Sequence, residues 1–192
     1  MPAAGQGQAS PRFSAERNRV FQQTGPNEWG SFPGSSTPVS PALALVGFVG
    51  LCLLVGAVDG TLATGAGRVW FGSLLRPPAT PPFWLFAPVW AALYIAMGVA
   101  AWLVWRRCGA GRPLRLWGWQ LGVNAACAPI FFSLHRPGPT LLVVAVLLGL
   151  LALTIRAFST VHRSAAVLLL PYMAWVGFTA YLDAGFWWLN HA

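Results

Sequence analysis

The stretch PFWLFAPVWAALYIAMGVAAWLVWRR, residues 82–107, decides the fold. From Pro82 to Trp105 it carries no charged side chain, and then Arg106 and Arg107 close it. A helix needs roughly 20 apolar residues to cross about 30 Å of hydrocarbon, so 82–105 reads as a membrane span. Nothing in it alternates between polar and apolar positions as barrel strands must. Four further runs of similar length repeat the pattern at about 42–59, 114–134, 139–158 and 165–189. The expected fold is therefore an all-α integral membrane protein, a bundle of five transmembrane helices.

Composition points the same way. Of 192 residues, 56% are hydrophobic and only 8% are charged, with a mean hydropathy of +0.60. A soluble domain needs about a quarter of its residues charged to cover its surface, and this chain falls far short. Residues 1–40 differ: they are rich in Gly, Pro, Ser and Gln and show no apolar period. They are expected to form a disordered arm ahead of a single membrane domain at 41–192. The arm lacks the continuous apolar core of a secretory signal. Glu16, Glu28 and its prolines fit a cleaved transit peptide only in part.

The net charge of +8 comes entirely from arginine, since the chain contains no lysine. These arginines sit singly or in pairs between apolar runs, unlike the solvated basic face that nucleic acid requires. Nucleic acid is not an expected partner; the lipid bilayer is. With five spans, one side of the membrane collects Arg12, Arg17, Arg19, Arg106, Arg107, Arg112, Arg115, Arg156 and Arg163. The other side keeps only Arg68, Arg76 and Arg136. The positive-inside bias then places the N-terminus on the cytoplasmic side. Organellar and bacterial membranes remain alternatives for this multi-pass protein.

The chemistry of an enzyme is thinly represented. There is no glycine-rich phosphate loop, no GxSxG elbow and no His/Glu metal pair. Cys52, Cys108 and Cys127 show neither CxxC spacing nor a neighbouring histidine, so no metal site or disulfide framework is expected. Outside the arm the carboxylates are Asp59 and Asp183, on spans whose ends the sequence alone does not bring together. No catalytic residue is assigned. The unusual inventory is 11 Trp and 12 Phe among apolar helices, which suits a flat, greasy ligand better than a reaction.

Helical spacing divides the spans into faces. In the second span Phe83, Ala87, Trp90, Tyr94 and Met97 share a stripe about 80° wide. In the fifth, Pro171, Trp175, Phe178 and Leu182 do the same. Tryptophan usually sits at the membrane interface, yet Trp90 and Trp175 lie inside their spans. Each needs a partner for its N–H, either a polar pocket or a plain carbonyl. On the third span Gly118, Gly122 and Ala126 form a small-residue ridge, with Asn124 pointing roughly opposite. That ridge suits either packing within the bundle or a dimer interface, and Asn124 either interhelical glue or a ligand contact.

Several motifs, in order, resemble the translocator protein family, also called tryptophan-rich sensory protein or peripheral-type benzodiazepine receptor. Trp70-Phe71, Leu74, Arg76-Pro77 and Pro81-Pro82 resemble its first loop. Phe86-Ala87-Pro88-Val89-Trp90, Tyr94 and Met97-Gly98 resemble its second helix. Gln120-Leu121, Asn124 and Pro129-Ile130-Phe131-Phe132 resemble the third. Pro171-Tyr172-Met173-Ala174-Trp175, Phe178, Tyr181-Leu182, Trp187 and Leu189-Asn190 resemble the fifth. The resemblance covers about 42–190.

It implies a five-helix bundle, usually a homodimer, that binds porphyrins, sterol-like lipids and aromatic drugs under the first loop. Trp90, Asn124 and Trp175 would line that pocket, with Tyr94 and Phe178 nearby. Arg76 or Arg68 would offer a cation to porphyrin carboxylates. Porphyrin or heme is expected as a ligand, with no obligatory cofactor. The chain departs from the family pattern at Ala87, where glycine is usual, and at Ala79 and Cys127-Ala128, where tryptophan and Trp-Ser are usual. Asp183 stands where asparagine is usual. The missing tryptophans weigh against light-dependent porphyrin breakdown. No basic residue follows Tyr181, so the sterol-recognition pattern is incomplete. The readings that compete are a tetrapyrrole and lipid carrier in transport, scavenging or stress response, a porphyrin-degrading enzyme, and a membrane scaffold.

Overall fold

A computed structural model describes residues 40–190 apart from 65, 134 and 136. The expected arm, apart from Ser40, and loop Arg136 lie outside the described residues. Helix α1 spans Pro41–Leu62, and α2 is a short helix at Ala66–Ser73. Helix α3 spans Phe83–Cys108, and α4 covers Arg112–Ala128 and runs into a π turn at Pro129–Ser133. Helix α5 spans Pro137–Val161, α6 covers Arg163–Leu168 and α7 covers Leu170–Asn190. No strand occurs among the described residues.

Local chemistry explains the boundaries. Ser40 caps α1 by accepting from the Leu43 N–H at 3.2 Å, while Pro41 at the first position loses no helical bond. The wide turn begins at Pro129, which has no N–H to donate back to Ala125 and whose ring crowds that carbonyl. The last span, expected to be continuous over 165–189, is instead broken at Leu169. Pro171 leaves the Val167 carbonyl without its i+4 donor. Leu169 N–H turns back to Ala166 at 3.1 Å, and Met173 N–H restarts the ladder on Leu169 at 2.9 Å. Residues 60–81, expected as loop, in fact contain the end of α1 and all of α2. Trp70 and Phe71, with Leu74 just past the end of α2, give it an apolar side that holds it down on the bundle.

The long helices close a ring. Helix α1 packs on α3 and α4, α4 on α5, α5 on α7, and α3 against α6 at the start of the last span. Four stretches are long and apolar enough to cross a membrane: Pro41–Leu62, Phe83–Cys108, Gly138–Val161 and Arg163–Asn190. Helix α4 is shorter and more polar, and its π turn supplies the remaining length. The chain is an all-α, multi-pass membrane protein.

The core fills one half of this ring. Met97, Ala100, Ala101 and Val104 of α3 are fully buried, as are Leu151 and Phe158 of α5 and Leu169 between α6 and α7. Close approach makes this possible. A Cβ at Gly98 would lie 2.6 Å from the Val49 Cα, so only glycine lets the α1 backbone rest on α3. Above that contact, Trp102 Nε1 donates to the Pro41 carbonyl at 2.8 Å and ties down the start of α1.

Candidate ligand cavity

The other half of the ring is hollow. A cavity of about 510 Å³ lies among α1, α3, α4, α5 and α7, with α2 contributing to its roof. Helix α3 presents Phe83, Phe86, Ala87, Trp90 and Tyr94 to it, the aromatic stripe expected from helical spacing. Helix α4 and its π turn supply Asn124, Cys127, Phe131 and Phe132, and α7 supplies Val176, Thr179, Leu182, Asp183 and Phe186. The roof is a cluster of rings. Phe71 of α2 meets Phe186 edge-on at 5.2 Å, and Trp70 meets Phe131 edge-on at 5.3 Å.

The polar groups are few and connected. Asn124 Nδ2 donates to Tyr94 Oη at 2.7 Å, and Tyr94 Oη donates to Asp59 Oδ2 at 3.2 Å. This chain ties α4, α3 and α1 together across the cavity floor, and it satisfies groups that would be costly unpaired in hydrocarbon. Asn124 thus acts as interhelical glue while also lining the cavity. Trp90 lines it too, 5.5 Å from the Tyr94 ring and edge-on to Tyr172 at 6.1 Å.

Other expected site residues lie behind the wall. Trp175 packs edge-on against Phe86 at 5.8 Å and against Phe178 at 5.5 Å, and neither Trp175 nor Phe178 is among the cavity-lining residues. The buried Trp175 Nε1 has no hydrogen-bond partner among the described residues. Arg76 is exposed, with its guanidinium 5.8 Å from the Phe71 ring centre, and Arg68 sits likewise 5.3 Å from Phe83. Both cations stand outside rings that face the cavity. Gly118 and Gly122 are exposed, and a Cβ on either would meet nothing within 4 Å. The small-residue ridge, with half-buried Ala126, therefore occupies the side of α4 away from buried Asn124.

The loop between α2 and α3 is fastened to α7. The Leu75 N–H donates to Asn190 Oδ1 at 2.9 Å, and Asn190 Nδ2 donates back to the Leu75 carbonyl at 3.1 Å. Tyr181 Oη donates to the Pro78 carbonyl at 3.0 Å. Pro77 is buried against Gly185, where a Cβ would stand 2.5 Å from the proline Cβ.

Sequence reasoning did not place the two carboxylates together, yet Asp59 and Asp183 both line this cavity. The signal for Asp183 was its register with Val176, Thr179 and Phe186 at i, i+3, i+7 and i+10. That face lies about 100° from the Trp175 stripe. Among the described residues no group of His, Cys, Asp and Glu is arranged to hold a metal ion, and Cys52, Cys108 and Cys127 are free thiols.

A ring of apolar helices around an aromatic cavity defines a multi-pass helical membrane protein with an internal chamber. Comparison with known proteins makes this specific: the model of the TspO/MBR family matches residues 48–189, and the chain belongs to that family. It is 37% identical to the translocator protein of Bos taurus over 152 residues, 77% of this chain and 90% of the relative. It is 40% identical to the human translocator protein over 132 residues, covering 66% and 78% of the two chains. With the tryptophan-rich protein TspO of Chlorobaculum tepidum it shares 34% identity over 145 residues, 73% of this chain and 92% of that one.

Proposed function

We propose that this protein binds and carries flat, apolar ligands, porphyrins or heme and sterol-like lipids among them, in transport, scavenging or stress response. The observation that carries the reading is the aromatic-walled cavity of about 510 Å³, within the range of about 300–1,000 Å³ typical of small-molecule sites. Trp90 offers a π-face to a macrocycle, and Arg68 and Arg76 stand at the rim, where the acid groups of a porphyrin would meet them. The name of the bovine relative, translocator protein, accords with a carrier. The exposed Gly118 and Gly122 ridge supports a homodimer that packs through the outer face of α4. The arginine bias supports a cytoplasmic N-terminus.

Titration with protoporphyrin, read by quenching of tryptophan fluorescence, tests the pocket. Trp90→Phe is expected to weaken binding about tenfold through lost stacking area. Trp175→Phe, one layer behind Phe86, is expected to weaken it less. Unchanged affinity in both variants would remove the cavity as the porphyrin site.

A further inference from the structure

We propose that Asp183, assisted by Asp59, makes the cavity selective for flat ligands that present an N–H donor or a protonated amine to its α7 wall. This rests on the reading of the cavity as a ligand site and adds the chemistry of the group recognised.

Asp183 is 9% exposed and faces the cavity, yet it has no hydrogen bond or ion pair among the described residues. A carboxyl group without a partner in apolar surroundings is costly, and such sites persist where something else satisfies them. The nearby donors of the chain are engaged elsewhere. Thr179, one turn before Asp183 on α7, donates its hydroxyl to the Val176 carbonyl at 2.9 Å. Tyr94 donates to Asp59, and Asn124 donates to Tyr94. A donor carried by a ligand would satisfy Asp183.

Charge placement gives the direction. The described lining includes two carboxylates, Asp59 and Asp183, and no arginine or histidine. Arg68 and Arg76 stand outside, over the Phe83 and Phe71 rings. The chamber thus has an acidic interior and a basic rim. A ligand acid placed inside would face charges of its own sign in a medium that screens them poorly, whereas an ammonium or pyrrole N–H finds an acceptor. A porphyrin entering this field turns its carboxylates outward to the rim and its apolar edge inward. Asp59, already holding the Tyr94 hydroxyl, has less free acceptor capacity and plays the smaller part.

Three probes of one ring system separate the contributions: 1-pyrenemethylamine, 1-methylpyrene and 1-pyrenecarboxylic acid. Each is titrated into the full chain in mild detergent, with micelle-only blanks, and read by energy transfer from tryptophan. The amine is expected to bind at least about tenfold more tightly than methylpyrene, as a charge-assisted hydrogen bond allows, with the acid weakest. Asp183→Asn keeps the side-chain shape and is expected to abolish the preference for amine, so that the amine and methylpyrene bind alike. Asp59→Asn is expected to reduce the preference by a smaller factor. If methylpyrene binds but the amine gains nothing, or if Asp183→Asn shifts all three probes equally, the selectivity is overturned and the cavity reading stands. If methylpyrene itself does not bind, both fall.

Discussion

The two halves of α3 behave as different materials. From Met97 to Val104 the helix buries Met, Gly, Ala and Val with essentially no exposed surface, and α1 lies directly on its backbone at Gly98. From Phe83 to Tyr94 the same helix carries rings, and the rings stand around empty space. Small side chains let helices approach until nothing remains between them, as is usual where lipid supplies no hydrophobic force between helices. Large flat side chains brace one another edge to face and hold the helices apart. The closed half supplies the rigidity that allows the open half to remain open.

Three substitutions probe that contrast. The largest effect is expected at the closed half. Gly98→Val drives a branched side chain into the Val49 backbone, where no rotamer can relieve the clash. It should cost about 3 kcal/mol or more, seen as a large fall in the thermal unfolding midpoint in detergent and as aggregation on size exclusion. A fall of only a degree or two would show that α1 does not depend on this contact.

The second lies at the border of the two halves. Tyr94→Phe removes the hydroxyl that joins Asn124 to Asp59 and leaves both polar groups short of a partner. A loss of about 1–3 kcal/mol is expected, and it should shrink but not vanish when Asn124→Leu is already present, because Asp59 still loses its donor. The smallest change has the opposite sign. Tyr172→Phe is the same chemical deletion, but the Tyr172 hydroxyl is buried in the closed half with no partner among the described residues. Removing it should raise stability by about 1 kcal/mol. Two Tyr→Phe variants that move the unfolding midpoint in the same direction would break the distinction between the halves.

How much of this was legible beforehand follows from the same physics. The membrane class and the span positions were readable because hydrocarbon tolerates so few sequences, and the runs are long. The cavity stripe on α3 was readable because Phe83, Ala87, Trp90 and Tyr94 are both periodic and aromatic. On α7 the eye follows the large rings, Trp175 and Phe178, whereas the cavity face one residue over carries Val176, Thr179 and Asp183. The rings there buttress the wall rather than form it. Helix α2 was hidden because it is short and lies between glycines and prolines, held by Phe71 against residues distant in sequence. The meeting of Asp59 and Asp183 depends on which helices border the hollow, a property of the closed ring rather than of either span.

The Asn190 amide grips both the N–H and the C=O of Leu75, while Pro77 is seated at Gly185 and Tyr181 holds Pro78. With three neighbouring residues of the loop held on one helix, the roof cannot lift one bond at a time. Freeing that segment therefore means giving up several contacts rather than one, so the loop belongs to the fold of the last helix instead of hanging from it.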